Sequence, residues 1–256
     1  GKPKKIFLGD GNAFGLKTEK LYEILDLIAY YFPECEGINM DATVTSILHK
    51  SQEELEMLAR KKVKHLYLGI ESGLDDVLKF MKKDHDLAQA YQAIDRLHEA
   101  GLIYDAHIMT GVAGKGRGME NAEALAQFLN RTNPAHVVNF SMFLHKEVPL
   151  YQDIRQGTFV PADELETIRE EYHLIERIAP EKAGANILYD GFHDFIHVRV
   201  RGHLPGDKEK MLAKLNGIIQ EYEGKEPVYS FVQGECPDLE YCDDGKAVWD
   251  MDRKTS

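Results

Sequence analysis

The chain has 256 residues, 43% hydrophobic and 29% charged, an ordinary globular composition with enough length to bury a full core. Its net charge of −12 argues against gripping a nucleic-acid backbone by bulk electrostatics. The longest apolar stretch, Leu21–Phe32, is broken by Glu23 and Asp26, and no signal peptide is visible; no membrane partner is expected, and the expected location is cytoplasmic.

Short apolar runs alternate with amphipathic segments. The runs are Lys5–Leu8, Gly37–Met40, His65–Ile70, Ala106–Gly111 and Val137–Phe143. Taking Ile6, Ile38, Leu66, His107 and Val138 as centres, the steps are 32, 28, 41 and 31 residues. That spacing suits strand–helix–strand units and a parallel sheet. Between the runs, Thr18 can cap a helix bearing Leu21, Ile24, Leu25 and Ile28, which Pro33 stops. Ser51–Glu54 reads as a capping box ahead of Leu55 and Leu58. Tyr91, Ile94 and Leu97 form a further stripe ended by Gly101, and Ala122, Leu125, Ala126 and Leu129 one ended before Pro134.

The pattern changes after residue 145. Residues 145–160 read as a loop, and Pro161–Ile178 as a charged helix with Leu165, Ile168, Tyr172 and Ile175 on one side. Ile196–Val200 alternates like a strand, Gly206–Tyr222 is a helix, and the last 30 or so residues read as irregular. The expected fold is α/β: a partial parallel (β/α)6 open barrel over residues 1–145, with a C-terminal α+β appendage over residues 146–256.

In such folds ligands sit outside the carboxyl ends of the strands. The residues at those ends are Gly9-Asp10-Gly11-Asn12, Asp41-Ala42-Thr43, Glu71-Ser72-Gly73, the loop from Thr110 to Arg117, and Ser141–His145. Asp10 and Glu71 could hold an ammonium group or ribose hydroxyls, although Gly9–Gly11 equally suits a plain turn. The loop 111–117 lacks the Ser or Thr of a Walker A motif; Lys115 and Arg117 read either as an anion contact or as a solvated pair. His193, His197 and His203 lack a fourth ligand, so no metal is expected there. His107 lies mid-strand, facing the barrel or satisfied in the core. Cys35, Cys236 and Cys242 form no disulfide framework and no metal spacing.

The set of segments nevertheless resembles one family. Phe7–Ala13, Asp41-Ala42-Thr43 with Ser46-Ile47-Leu48, Leu66–Gly73 with Asp76-Val77-Leu78, Gly114–Arg117, Pro149-Leu150-Tyr151 with Gly157-Thr158-Phe159, and Gly202–Lys208 are similar, in order and spacing, to the radical S-adenosylmethionine (SAM) superfamily. The likeness is to a bacterial branch labelled coproporphyrinogen-oxidase-like or uncharacterised. It covers roughly residues 5–220.

The resemblance implies SAM as cofactor and a [4Fe–4S] cluster that cleaves it to start radical chemistry on a small-molecule substrate of unknown identity. An electron donor such as flavodoxin or ferredoxin is implied as partner. It also implies that Gly9, Asp10, Gly11 and Asn12 hold the SAM amino group, that Glu71 and Ser72 lie near ribose and carboxylate, and that Asp41 and Thr43 belong to the same rim. Met109, Gly111 and Phe143 would flank adenine.

The family's C-x3-C-x2-C motif occurs nowhere in this sequence. Residues 5–12 resemble the family's second strand, so the first strand and its cysteines are expected before Gly1. The 256 residues alone are expected neither to assemble the cluster nor to cleave SAM. Two alternatives stay open: a non-catalytic SAM-binding barrel, and a cluster-free lyase or isomerase using Asp10, Glu71 and His107.

Overall fold

A computed structural model describes residues 2–9 and 11–231. Seven strands form one sheet in sequence order: β1 (Lys5–Leu8), β2 (Gly37–Ala42), β3 (Val63–Glu71), β4 (Ile103–Thr110), β5 (His136–Ser141), β6 (Ile187–His193) and β7 (Val198–Leu204). β1 to β6 pair in parallel, and β7 returns antiparallel to β6. The sheet is open and mostly parallel, with helices between successive strands, as the repeat spacing requires. The helices are α1 (Thr18–Tyr31), α2 (Val44–Leu48), α3 (Gln52–Arg60), α4 (Asp75–Phe80), α5 (Leu87–Glu99), α6 (Gly118–Thr132), α7 (Leu150–Gln156), α8 (Glu164–Arg177) and α9 (Lys208–Tyr222).

Local chemistry sets the helix starts. Ser51 accepts from the Glu54 amide while the Glu54 carboxylate accepts from the Ser51 amide, the reciprocal cap read from sequence. Thr43 and Ser46 do the same for α2, and Asp86 and Gln89 for α5. α3, α5 and α6 each bury one stripe on the same face of the sheet. Leu55, Leu58, Ile94, Leu97, Leu125 and Leu129 are fully buried there with Leu66, Leu68 and Ile70 of β3. Each such side chain contributes roughly 1.5–3 kcal/mol of burial.

The opposite face of the strands meets α7 at its carboxyl end, where Met109 of β4 packs in one cluster with Leu150 and Ile154, and among the described residues it is uncovered below that helix. Strand alternation puts Phe7, Asp41, Tyr67, His107, Phe140 and Phe192 on it, and all six are exposed or half-buried. Four ring contacts string most of them into a stripe across the sheet. Phe7 meets Tyr67 at 5.6 Å, Tyr67 meets His107 at 5.4 Å, His107 meets Phe140 at 6.3 Å, and Phe140 stacks on Phe192 at 5.3 Å.

Three expectations need correction. The sheet does not stop near residue 145: β6 pairs along β5 from His136↔Leu188 to Phe140↔Phe192, so the later region supplies a sixth parallel strand. The strand expected over Ile196–Val200 lies at Val198–Leu204, because His197, at φ 54°, reverses the chain out of β6. Residues 145–160 contain α7, closed by Gly157 at φ 72°. Cys236 and Cys242 lie outside the described residues.

Candidate active site

The carboxyl ends of β3, β4 and β5 open onto a cleft of about 430 Å³. Its polar end is Glu71 with Lys83, whose ammonium lies 3.2 Å from the Glu71 carboxylate. Met109, Val112, Met142 and Phe143 form the apolar wall, and Phe80 and Pro149 the rim. Phe143 is 49% exposed and leaves apolar surface open in the cleft. A small satellite core of Val77, Ala113, Leu144, Ile154 and Phe159 holds the wall from outside.

Glu71 is set in place by unusual backbone. Its φ of 61° is a left-handed conformation that costs a non-glycine residue free energy. The conformation folds its side chain back over Gly69: a Cβ on Gly69 would meet the Glu71 carboxylate at 2.7 Å and Lys83 Nζ at 3.2 Å. Gly69 is the register partner of His107. The carboxylate therefore stands between the cleft and the aromatic stripe. Burial lowers the His107 pKa, so the imidazole is held neutral.

Behind the same strand ends lies a buried polar network built by α8. Glu170 accepts from the Gly111 amide at 2.8 Å and from Asn121 Nδ2 at 2.7 Å. Asn121 Oδ1 in turn accepts from Ser72 Oγ at 2.6 Å and from the Gly73 amide at 3.3 Å. Glu171 accepts from Asn139, from the Tyr189 hydroxyl and from His193 Nε2, and Glu164 from Ser141 and His193 Nδ1. One helix thus ties the ends of β3, β4, β5 and β6. Burial pushes the Glu170 pKa up to about 7. Burial alone would lower that of His193, but its two carboxylates outweigh this and raise it to about 10. His193 is accordingly an imidazolium between two carboxylates.

The residues singled out from sequence fall into four places. Glu71, Met109 and Phe143 share the cleft. Asn12 and Thr43 lie together at the ends of β1 and β2, where Asn12 Nδ2 donates to Thr43 Oγ1 at 3.4 Å and Thr43 caps α2. Gly9 and Gly11 flank them, and Asp10 lies outside the described residues. Asp41 stands on the uncovered face beside Tyr67. Ser72 and Gly111 turn away from the cleft into the network: Ser72 is fully buried, and the space for a side chain at Gly111 is filled by Thr167. Arg117 is held by Asp76 and Glu120, which makes it a surface clamp on α6 and not a free anion contact.

Lys83 and the α8 glutamates were not singled out. The glutamates carried one signal: Glu164, Thr167, Glu171 and Leu174 recur at i, i+3, i+7 and i+10 on one helix face.

Comparison with known proteins bears on this geometry. The family described as the Radical SAM superfamily matches residues 1–129, half of the chain. A tRNA uridine(34) acetyltransferase of Methanocaldococcus infernus is 25% identical over 119 residues, which are 46% of this chain and 22% of that protein. The heme chaperone HemW of Bacillus subtilis is 22% identical over 179 residues, 68% of this chain and 46% of that one. The chain therefore spans between about a fifth and a half of the length of these curated relatives. The structure of Elp3 from Methanocaldococcus infernus, lacking its first 46 residues, superposes with a TM-score of 0.56 at 19% identity, over 70% of this chain and 46% of that one, a likeness of fold. The match over half its length, on an open and mostly parallel barrel sheet, shows that the chain belongs to the radical SAM superfamily.

Proposed function

We propose that this chain binds SAM in the cleft at the ends of β3–β5 and presents it to a small-molecule substrate on the uncovered face of the sheet. One observation carries the reading: Glu71, Met109 and Phe143, from three separate strand ends, meet in a single cleft with an acid–base pair at one end and an apolar wall at the other. That polarity suits a nucleoside. The apolar wall takes a purine face, and the Glu71 carboxylate accepts from ribose hydroxyls or an ammonium group while Lys83 offers donors to a carboxylate. Asn12 and Thr43 lie at the neighbouring strand ends, where the methionyl part of SAM would have room.

The [4Fe–4S] cluster typical of the family does not fit the cysteines of this chain. Cys35 is 1% exposed, and its thiol lies 3.4 Å from the Gly37 carbonyl at the amino end of β2, the opposite end of the sheet from the cleft. Cys236 and Cys242 have five residues between them, which is not the C-x3-C-x2-C spacing. A flavodoxin- or ferredoxin-type electron donor would be needed only where such a cluster is held.

Equilibrium dialysis of the purified chain against labelled SAM tests the reading. Saturable binding with a Kd below about 1 mM, which is roughly 4 kcal/mol of binding free energy, is expected. Absence of saturable binding at that concentration overturns it. In the same preparation, iron, sulfide and dithionite are expected to yield no 5′-deoxyadenosine above background.

A further inference from the structure

A second cavity, of about 370 Å³, lies between the turn that starts α1 and the segment from Thr43 to Lys50, and it shares no lining residue with the cleft. Lys50 lines it although the residue is only 6% exposed. Its ammonium donates to the Leu16 carbonyl at 3.0 Å, reaches the Thr18 hydroxyl at 3.5 Å and lies 5.0 Å over the Phe14 ring. No carboxylate among the described residues forms an ion pair with it, whereas a buried lysine is normally paired. Leu16 and Thr18 also place this cation at the amino end of α1, where the helix dipole is positive and disfavours it. Burial accordingly lowers the Lys50 pKa. The side chains of Lys17 and His49 line the same cavity and make no hydrogen bond or ion pair with a described residue. Lys17 precedes α1 and supplies no side-chain acceptor to its first amides. Asp84 is the one acid in the lining, and its carboxylate is already engaged by Thr45 Oγ1 and His85 Nδ1.

We propose that this cavity binds a phosphate group between the Lys50 and Lys17 ammonium groups and the first turn of α1. The buried ammonium carries the argument: it has a third N–H beyond the Leu16 carbonyl and the Thr18 hydroxyl, and a charge that no described residue neutralises. An anion in the cavity would supply both the missing acceptor and the missing charge. Lys17 adds a second cation from the solvent side, and the uncapped amides of α1 add donors of the same sense. A phosphate offers several charged oxygens, enough to meet these donors from different directions. The cavity has room well beyond a bare phosphate, which favours a phosphorylated small molecule as its source. The inference goes beyond the proposed function and does not rest on it.

Two probes test it and separate the sources: inorganic phosphate and glycerol 3-phosphate. Amide NMR on the full ¹⁵N-labelled chain reads their binding at Thr18, Glu19 and Lys20, with and without saturating SAM. The expected result is a saturable shift of these amides with a Kd below about 10 mM, tighter for the ester and undiminished by SAM. Tighter binding of inorganic phosphate would keep the site and make the free anion its ligand. Lys50→Met, which keeps the length of the side chain and removes its charge, should abolish the shifts. Lys17→Glu should weaken both probes about tenfold or more, since a charge-assisted hydrogen bond is replaced by repulsion. Lys17 is exposed, so that variant is expected to fold; circular-dichroism melts check both, and Lys17→Glu decides alone if Lys50→Met does not fold. Absence of a saturable shift, a shift that Lys17→Glu leaves unchanged, or displacement of the phosphate by SAM would overturn the inference. Failure of SAM to bind while phosphate still binds overturns the cofactor reading alone.

Discussion

The two faces of the same strand ends hold acids in opposite states. Behind the sheet, α8 buries Glu164, Glu170 and Glu171, and each accepts from amides, hydroxyls or His193. On the uncovered face, Asp41 takes part in no hydrogen bond or ion pair among the described residues, whereas Asp105 is buried against His65 and Tyr67. A carboxylate whose acceptors are all occupied by its own protein fixes geometry, whereas one with acceptors to spare is prepared for something else. The first kind should govern stability and the second binding, and substitutions can separate them.

The largest separation is expected at His193. It is fully buried between Glu164 and Glu171, at 2.9 and 3.0 Å. His193→Ala leaves two carboxylates in the interior without their cation, which costs about 3–5 kcal/mol. Asp41→Asn, on the other face, should change stability by less than about 0.5 kcal/mol. Urea midpoints of the two variants check this. Similar losses at both positions would erase the distinction between the faces.

Next in size is a pH effect at Glu170. Its pKa is raised to about 7 by burial, so the folded chain binds this proton more tightly than the unfolded chain. Its contribution to stability is fully present below the unfolded value of 4.5 and is lost as pH rises through 7. The loss is on the order of 3 kcal/mol at most. His193, raised to about 10, adds a fall of the same sign at higher pH, beginning above its unfolded value of 6.5. Glu170→Gln abolishes the first fall and keeps the second. It also replaces one acceptor by an amide that cannot serve both Gly111 and Asn121, so its stability below pH 5 should drop by about 1–3 kcal/mol. Denaturant titrations of both proteins across about pH 5 to 7 would show parallel curves if Glu170 were not the titrating group.

Much of the scaffold was legible in the sequence, for a physical reason: a parallel sheet buried on one face writes apolar runs at intervals near 30 residues, and Lys5–Leu8 was read with both ends right. β6 escaped because Leu188-Tyr189-Asp190-Gly191 breaks the apolar run. Gly191 is there because the Glu171 carboxylate occupies the space of a β-carbon, and Asp190 because it pairs with Arg199. α8 was found, but its inward face was misjudged. Ile168 and Ile175 do face the core, whereas Leu165 and Tyr172 sit at its margin and the centre is Glu164, Thr167 and Glu171. Acids on a helix read as solvated when the donors that satisfy them lie on strands far away in sequence. The cleft was partly legible because strand ends can be read one at a time. Lys83 was not, since it joins Glu71 only through the left-handed turn at residue 71.

That turn gives the smallest and sharpest test. A non-glycine residue in the left-handed region costs on the order of 1–2 kcal/mol relative to glycine, and the half-exposed Glu71–Lys83 pair returns less than about 1 kcal/mol. Glu71→Gly therefore removes strain and a weak ion pair together, and stability should stay level or rise slightly. SAM affinity should nevertheless fall roughly tenfold or more, because the carboxylate that accepts from the ligand is gone. Glu71→Gln, which keeps the strain and the shape, should lower affinity by a similar factor with no gain in stability. Thermal melts paired with SAM dialysis on the two variants distinguish a residue held in strain for its ligand from one that merely shapes the loop. If the glycine variant loses stability and keeps its affinity, Glu71 belongs with the α8 acids as scaffold, and the cleft must find its acceptor elsewhere.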